Sequence, residues 1–211
     1  MPRKPGVQLS RDDVIQAAAR VLEREGYDRL TMRTVAAELD VQAPALYWHV
    51  KSKEDLSLLL FDHLIDNLEY RPPSDDWRED ARHVLGALRR RLVETRDITR
   101  LFPDDYSSGP RAVRSLELGL GLMRRAGLPP GEAFHAYSAA LSYVVGWARF
   151  EVTRRASDAS AGADPPLPPA EALPNLAWAL SSGAPDMERG FDYGVDLLIA
   201  GVEQRIATAQ A

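Results

Sequence analysis

Helical periodicity runs along almost the whole chain and limits what it can fold into. Apolar residues recur at intervals of three and four, whereas the alternation typical of a β-strand is nearly absent. No apolar run approaches the ~18 residues that a transmembrane helix requires. The basic first residues, Met1 to Gly6, lead into no apolar signal core. We therefore expect an all-α protein that is soluble and cytoplasmic.

The first 50 residues predict one helix followed by two short ones. Ser10 precedes Asp13 by three residues, as in a capping box, and Gly26 is well placed to end the first helix. Thr31 is a good N-cap for the second helix. After a tight turn, a third helix is expected from Gln42 to about His49.

Two short helices joined by a tight turn form a helix-turn-helix pattern, in which the second short helix fits the DNA major groove. Tyr47, Trp48 and His49 are consecutive, so they splay around the helix and cannot all face a core. Polar-tipped aromatic side chains beside Lys51 and Lys53 suit contacts with phosphates and thymine methyls. A small helical core without DNA binding would show a similar pattern, so both interpretations stay open on the pattern alone.

The charge distribution permits DNA binding at the N-terminal end. The whole chain has a net charge of −5, but residues 1–53 hold nine Lys/Arg against seven Asp/Glu. The remaining residues hold 17 basic and 24 acidic side chains. Because salt screens charge beyond ~10 Å, a mildly basic head can bind phosphates despite an acidic body.

The rest of the chain predicts a larger helical body. A break at 71–75 is followed by helical stretches, and the residues from Ser157 to Pro169 are expected to form a flexible loop. We predict a DNA-binding domain at 1–52 and a ligand-binding and dimerisation domain at 53–211. The expected helices of the body cover about 76–94, 97–102, 110–126, 130–155, 170–181 and 186–207.

Residues 10–60 resemble the DNA-binding domain of the TetR family of transcription regulators. The matching segments are Val14-Ile15-Gln16-Ala17-Ala18, Gly26-Tyr27, Leu30-Thr31-Met32-Arg33, Val35-Ala36, Leu39 and, above all, Pro44-Ala45-Leu46-Tyr47-Trp48-His49-Val50-Lys51-Ser52-Lys53-Glu54. The later helices resemble the family's C-terminal domain more loosely, through Trp77, the 122–128 segment and the 133–150 stretch. The resemblance implies a homodimer that binds a palindromic double-stranded DNA operator.

The resemblance also implies roles for single residues of the helix-turn-helix. Arg33 matches a base-reading arginine, while Gln42, Pro44 and Ala45 match the groove-facing start of the third helix. Ala43 stands where the family's tetracycline-binding members have a base-reading glutamine, so the operator should differ from theirs. Tyr47, His49 and Lys53 match phosphate contacts, and Trp48 is expected to pack against the DNA backbone or the helix-turn-helix. Together the expected DNA contacts are Arg33, Thr34, Gln42, Ala43, Pro44, Ala45, Tyr47, Trp48, His49 and Lys53.

In the body, the family builds its dimer interface from two helices that correspond here to about 130–155 and 186–207. The apolar residues at helical spacing on these stretches either face a partner or fill the monomer core, and we favour the dimer. They are Ala139, Ala140, Tyr143, Val144, Trp147, Phe191, Val195, Leu198, Ile199 and Val202.

The ligand is the least defined part of the resemblance. His63 lies close to one position of the family's tetracycline–magnesium site, but other positions become Val84, Leu88 and Phe102, which offer no oxygen ligands. We expect no metal, no cofactor and a small, hydrophobic effector instead. The candidate pocket residues are Phe61, His63, Leu64, Leu88, Phe102, Phe134, Tyr137, Leu141 and Trp147, each of which can equally be ordinary core.

Three functions are compatible with these features. The favoured one is a repressor that a small hydrophobic ligand releases from its operator. The alternative is a DNA-binding regulator without small-molecule input, gated by a partner protein or acting as an activator. An enzyme is not expected, because the sequence has no Gly-rich phosphate loop, no Gly-x-Ser-x-Gly, no His-Glu-x-x-His and no cysteine.

Overall fold

The computed structural model describes residues 9–66, 73–101, 110–160, 171–183 and 186–210, and within these ranges it is helical throughout, without a strand. This confirms the all-α fold with an N-terminal helix-turn-helix. The α-helices are α1 (Arg11–Glu25), α2 (Met32–Glu38), α3 (Lys53–Asp66), α4 (Trp77–Glu94), α5 (Ile98–Leu101), α6 (Pro110–Ala126), α7 (Pro130–Ser160), α8 (Pro174–Leu180) and α9 (Met187–Gln210). No helix among the described residues is long and apolar enough to cross a membrane.

The chain divides into two compact units. Unit 1 comprises Met1–Pro73 and Gly86–Gly121, and unit 2 comprises Ser74–Leu85 and Leu122–Ala211. Helices α4 and α6 each contribute residues to both units. The two units are defined by contacts between residues. They do not test the boundary predicted between residues 52 and 53, which separates the DNA-binding domain from the body, so that boundary stays a prediction.

Local capping sets the start of α1 and α2 in unit 1, as the sequence predicts. The Ser10 hydroxyl accepts from the Asp13 N–H, and the Asp13 carboxylate accepts from the Ser10 N–H, which completes a capping box. Thr31 and Thr34 make the same reciprocal pair at α2. These bonds satisfy amides that have no partner inside the helix. The core of unit 1 then forms from the buried faces of α1, α2 and α3, which include Val14, Ala18, Val21, Leu22, Val35, Ala36, Leu56 and Leu60.

The segment predicted as a third α-helix is a 3₁₀-helix, Ala43–Trp48, which we call the recognition segment. Pro44 lies in its first turn and brings no N–H to the helix. Asp40 begins the turn in the left-handed region at φ 54°, which Asp tolerates better than most residues. Leu46 is fully buried and anchors the segment, so the residues around it are turned outward.

In unit 2, α7 and α9 pack against each other through aromatic rings on α7 and glycines on α9. The Tyr143 hydroxyl donates to the carbonyl oxygen of Phe191 at 3.0 Å. A Cβ at Gly194 would overlap that hydroxyl, and a Cβ at Gly190 would lie 2.7 Å from Trp147 Cη2. The two glycines therefore let the helices approach closely enough to bury Phe191 and Val144.

Two details of the body differ from the expectation. Helix α7 continues to Ser160, so the first four residues of the loop predicted from Ser157 to Pro169 are helical, and the rest of that prediction lies outside the described residues. Five of the ten apolar residues predicted for the dimer face are buried within the chain itself, because they fill the α7–α9 contact. These are Ala140, Val144, Phe191, Val195 and Ile199.

Candidate nucleic-acid interface

The two short helices of the helix-turn-helix present their polar side chains to solvent. Arg33 is exposed in the first turn of α2. Thr34 is half-buried, and its hydroxyl lies 2.6 Å from the Arg29 carbonyl oxygen while it also accepts from the Thr31 N–H. Arg33 is therefore free to reach outward, while the Thr34 hydroxyl is already occupied by the helix cap.

The recognition segment exposes an unusual amount of aromatic surface. Trp48 is 89% exposed and Tyr47 is 56% exposed, although large apolar side chains are usually buried. Of the two contacts expected for Trp48, packing on the helix-turn-helix does not agree with this exposure, and contact with the DNA backbone stays a prediction. Gln42 and Pro44 are exposed as well, whereas Ala43, Ala45 and His49 are half-buried.

Lys53, at the start of α3, is positioned by an aromatic ring. Its Nζ lies over the Tyr27 ring, 4.6 Å from the centroid, which is the geometry of a cation–π interaction. The Arg100 guanidinium also lies over this ring, at 4.7 Å. Two cations, 47 positions apart in sequence, thus share one tyrosine.

Arg100 holds the neighbouring carboxylate in a two-point ion pair. Its Nη2 donates to Asp28 Oδ1 at 2.7 Å and its Nη1 to Oδ2 at 3.1 Å. This pairing lowers the pKa of Asp28, and the more distant charge of Lys53 adds to the effect. The carboxylate therefore stays ionised and is largely neutralised by Arg100.

The segment that carries Arg100 is itself attached to the end of α1. Asp97 accepts a hydrogen bond from the Tyr27 N–H at 2.9 Å, and Arg96 Nη1 donates to the carbonyl oxygens of Glu23 and Arg24. A cation at these carbonyls is favourable because the C-terminal end of a helix carries partial negative charge. We call residues 96–100 the anchoring turn. Sequence reasoning missed it, because its partners lie about 70 positions away and no local pattern marks them.

The residues predicted to bind the ligand are divided between the two units. In unit 1, Phe61 is 2% exposed in the α3 core, and His63, Leu64 and Leu88 are half-buried. In unit 2, Phe134 is 52% exposed, and Tyr137, Leu141 and Trp147 are half-buried. Phe102 lies outside the described residues. The pocket thus stays a prediction.

Unit 2 does contain an apolar groove of about 470 Å³ that the sequence did not predict. None of the eight predicted ligand residues that the structure describes lines it. Its walls are mostly small or aliphatic, and its polar lining consists of His135 and the ion pair between Glu132 and Arg205, whose Oε2 and Nε are 2.6 Å apart. The walls come from Trp77, Ala81 and Leu85 of α4, Met123 and Leu128, Ala136, Ala139 and Ala140 of α7, and Leu197, Leu198, Ile199, Gly201 and Val202 of α9.

Family models match most of the chain. Residues 14–59 match the model of "Bacterial regulatory proteins, tetR family", and residues 71–206 match "Tetracyclin repressor-like, C-terminal domain". A curated relative, an HTH-type transcriptional regulator of Saccharopolyspora erythraea, is 31% identical over 204 residues, which cover 92% of this chain and 84% of the relative.

Two solved structures are similar to this chain over most of its length. The chain is similar to ActR of Streptomyces coelicolor in complex with actinorhodin, with a TM-score of 0.81, 27% identity and coverage of 95% of this chain and 99% of ActR. It is also similar to BioQ with its double-stranded DNA operator, with a TM-score of 0.69, 27% identity and coverage of 93% and 99%.

Proposed function

The chain belongs to the TetR family of bacterial regulatory proteins, and we propose that a small hydrophobic ligand releases it from a palindromic operator. It is a DNA-binding transcriptional repressor that acts as a dimer. We also assign DNA contacts to single residues. The observation that supports this assignment best is the exposed Tyr47–Trp48 pair, which Lys51 and Lys53 follow in the chain. We place its action in the cytoplasm, where bacterial DNA lies, and assign it no catalytic step, since the similar proteins are regulators.

Base reading is assigned to the start of α2 and of the recognition segment. The exposed Arg33 can donate two hydrogen bonds to O6 and N7 of one guanine. Gln42 can pair with adenine in the same two-point manner, whereas Ala43 offers only a methyl group and suits a thymine methyl. Pro44 and Ala45 add apolar contact. The operator should therefore hold a guanine opposite Arg33 and a thymine opposite Ala43.

Phosphate contact is assigned to the other end of the recognition segment. Tyr47 and His49 are placed by the short 3₁₀ turn, and Lys53 is held over the Tyr27 ring. Such contacts fix orientation and contribute affinity that falls with salt, but they do not read sequence. Trp48, almost fully exposed, is assigned to packing against the sugar-phosphate backbone.

Dimerisation is assigned to the exposed faces of α7 and α9. Phe150, Tyr193 and Leu197 are 54%, 67% and 57% exposed, and Leu197 also lines the apolar groove. A second copy that presents the same face would cover these side chains in a two-fold symmetric contact. Two heads in one dimer then require half-sites about one helical turn, ~34 Å, apart.

The ligand is assigned to the body, and its chemistry follows from the residues that the body offers. Among the described residues, no three His, Cys, Asp or Glu side chains gather as they would around a metal. The predicted pocket residues are apolar or aromatic, apart from His63. ActR binds actinorhodin, as its structure records, and a hydrophobic effector is our proposal for this chain. The dimer has a DNA-bound state and a state in which the two heads cannot engage both half-sites. The ligand can release the protein only if its affinity for the second state is higher than for the first.

The experiment that tests this function is operator binding by fluorescence anisotropy, with DNA that flanks the protein's own gene. We expect tight, sequence-selective binding that weakens as salt is raised, and loss of binding with at least one compound of a hydrophobic panel. Binding that no compound changes, together with the absence of any thermal shift, would favour a regulator without small-molecule input. Equal affinity for random DNA across candidate operators would contradict the assigned base reading.

A further inference from the structure

Asp28, like Glu54, is a carboxylate close enough to Lys53 for their charges to interact. It directly follows Tyr27, whose ring carries the Lys53 ammonium at 4.6 Å. The side chain of Asp28 is 80% exposed, and both of its oxygens are bonded to Arg100. Lys53, for its part, forms no ion pair with any carboxylate in the described part of the chain.

We propose that Arg100 is a positioning residue for DNA binding: it holds Asp28, so that Lys53 stays available to an operator phosphate. This inference rests on the proposed phosphate contact of Lys53. Without Arg100, Lys53 is a cation close enough to Asp28 to interact with it, and an Asp28–Lys53 pair would compete with the phosphate.

The anchoring turn explains why Arg100 is held in place. Asp97 bonds the Tyr27 N–H, and Arg96 bonds the last carbonyls of α1, so the turn is attached on both sides of Gly26. Asp97 keeps a left-handed φ of 54°, a conformation that is unfavourable for most residues other than glycine but that Asp tolerates. A Cβ at Gly26 would lie 2.8 Å from Asp97 Oδ2, so this close approach depends on glycine. These contacts fix the backbone from which Arg100 reaches Asp28.

The contribution of Arg100 to operator affinity should be moderate, because an exposed ion pair contributes little free energy in water. We expect Arg100→Ala to weaken operator binding by about threefold to tenfold, the loss of roughly one phosphate contact. In the Asp28→Asn background the same substitution should weaken binding by less than about twofold, because the carboxylate that Arg100 holds is already gone. Arg100→Lys should keep most of the affinity, since it retains the charge but loses the two-point geometry.

The double-mutant cycle separates this role from direct DNA contact by Arg100. If Arg100 touched a phosphate itself, its removal would weaken binding equally with and without Asp28, and that result would overturn the proposal. The salt dependence gives a second readout. Arg100→Ala should lower the slope of log K against log salt by about one, and it should lower it no further in a Lys53→Ala background. A further loss of slope there would also contradict the proposal.

Lys53→Ala alone distinguishes failure of this inference from failure of the proposed function. If Lys53→Ala leaves affinity and salt slope unchanged, Lys53 does not contact phosphate and both assignments fall. If it lowers them while the Arg100–Asp28 cycle is additive, only the positioning role falls. The control is Arg20→Ala, which removes an ion pair with Glu38 of 2.8 Å in the same unit. It should leave the salt slope unchanged, and thermal unfolding checks that every variant is folded.

Discussion

Two surfaces of this protein expose large apolar side chains, and their surroundings differ. On the recognition segment, Tyr47 and Trp48 stand beside Lys51 and Lys53. On α9, Tyr193 and Leu197 are exposed, and Leu197 lines a groove together with the small residues Gly201 and Ala139. The first surface combines aromatic rings with cations, which suits a polyanion. The second combines apolar side chains with a concave wall, which suits another protein surface.

Exposure of apolar side chains therefore does not by itself identify a partner. Cations around an aromatic pair attract a polyanion, and salt weakens this attraction. A groove between helices instead binds a partner through shape complementarity, which salt hardly affects. We therefore expect substitutions on α9 to act on DNA binding only through the dimer. Substitutions on the recognition segment should act on DNA directly.

The largest effect is expected from Leu197→Asp. A carboxylate on the dimer face would lose water without gaining a partner, which costs several kcal/mol. The dimer should dissociate, and because each head then binds alone, operator affinity should fall by about 10²-fold to 10⁴-fold. Analytical ultracentrifugation gives the oligomeric state, and anisotropy gives the affinity.

Leu118→Asp is the matched control for that substitution. Leu118 lies on α6 and is 46% exposed, so the same change occurs on a surface that we assign to no partner. It should leave the dimer intact. A Leu197→Asp protein that stays dimeric and binds its operator normally would remove α9 from the interface.

Arg33→Ala should have the next largest effect and act on the other surface. Loss of a two-point guanine contact costs about 1–3 kcal/mol and relaxes specificity at one base pair. Competition between the operator and a variant changed at that guanine measures both. Arg29→Ala removes an equally charged, 72% exposed side chain just before α2 and should not change the preference. Equal losses on operator and random DNA for Arg33→Ala would refute base reading.

The head could be predicted from the sequence because its determinants are local. Ser10 with Asp13 and Thr31 with Thr34 are separated by three residues, and each pair forms the reciprocal cap that such spacing indicates. The 3₁₀ geometry of the recognition segment was missed, because three- and four-residue repeats look alike over six residues. The anchoring turn was missed because Arg100 and Asp28 are 72 positions apart.

The body was predicted less well, for a reason that α9 illustrates. Its sequence is apolar on more than one side, so periodicity cannot say which side packs on α7 and which faces outward. The structure shows Phe191, Val195 and Ile199 inside and Tyr193 and Leu197 outside. The ligand residues were harder still, because aromatic side chains at helical spacing fit a core and a pocket equally well.

Gly194→Ala tests the inner side of α9 and should change stability rather than assembly. The new methyl would overlap the Tyr143 hydroxyl, which would have to leave the Phe191 carbonyl. We expect a loss of about 1–3 kcal/mol, seen as a lower midpoint of thermal unfolding. Gly121→Ala is the control, since a Cβ there meets nothing within 4 Å and alanine favours a helix by about 1 kcal/mol. If both variants unfold at the same temperature, the close approach of α7 and α9 at Gly194 is not needed.

The smallest effect on stability is expected from Trp48→Ala. This variant tests whether the exposed ring on the recognition segment contacts DNA. With 89% of its surface exposed, Trp48 contributes little to folding, so the free energy of unfolding should change by no more than about 0.5 kcal/mol. Operator affinity should nevertheless fall by several-fold, because the indole packs against the DNA backbone in our assignment. Trp178→Ala removes an indole that is 78% exposed on α8 and should change neither quantity. Affinity that survives Trp48→Ala would mean that the exposed ring meets no DNA, and the cations alone would then distinguish this surface from that of α9.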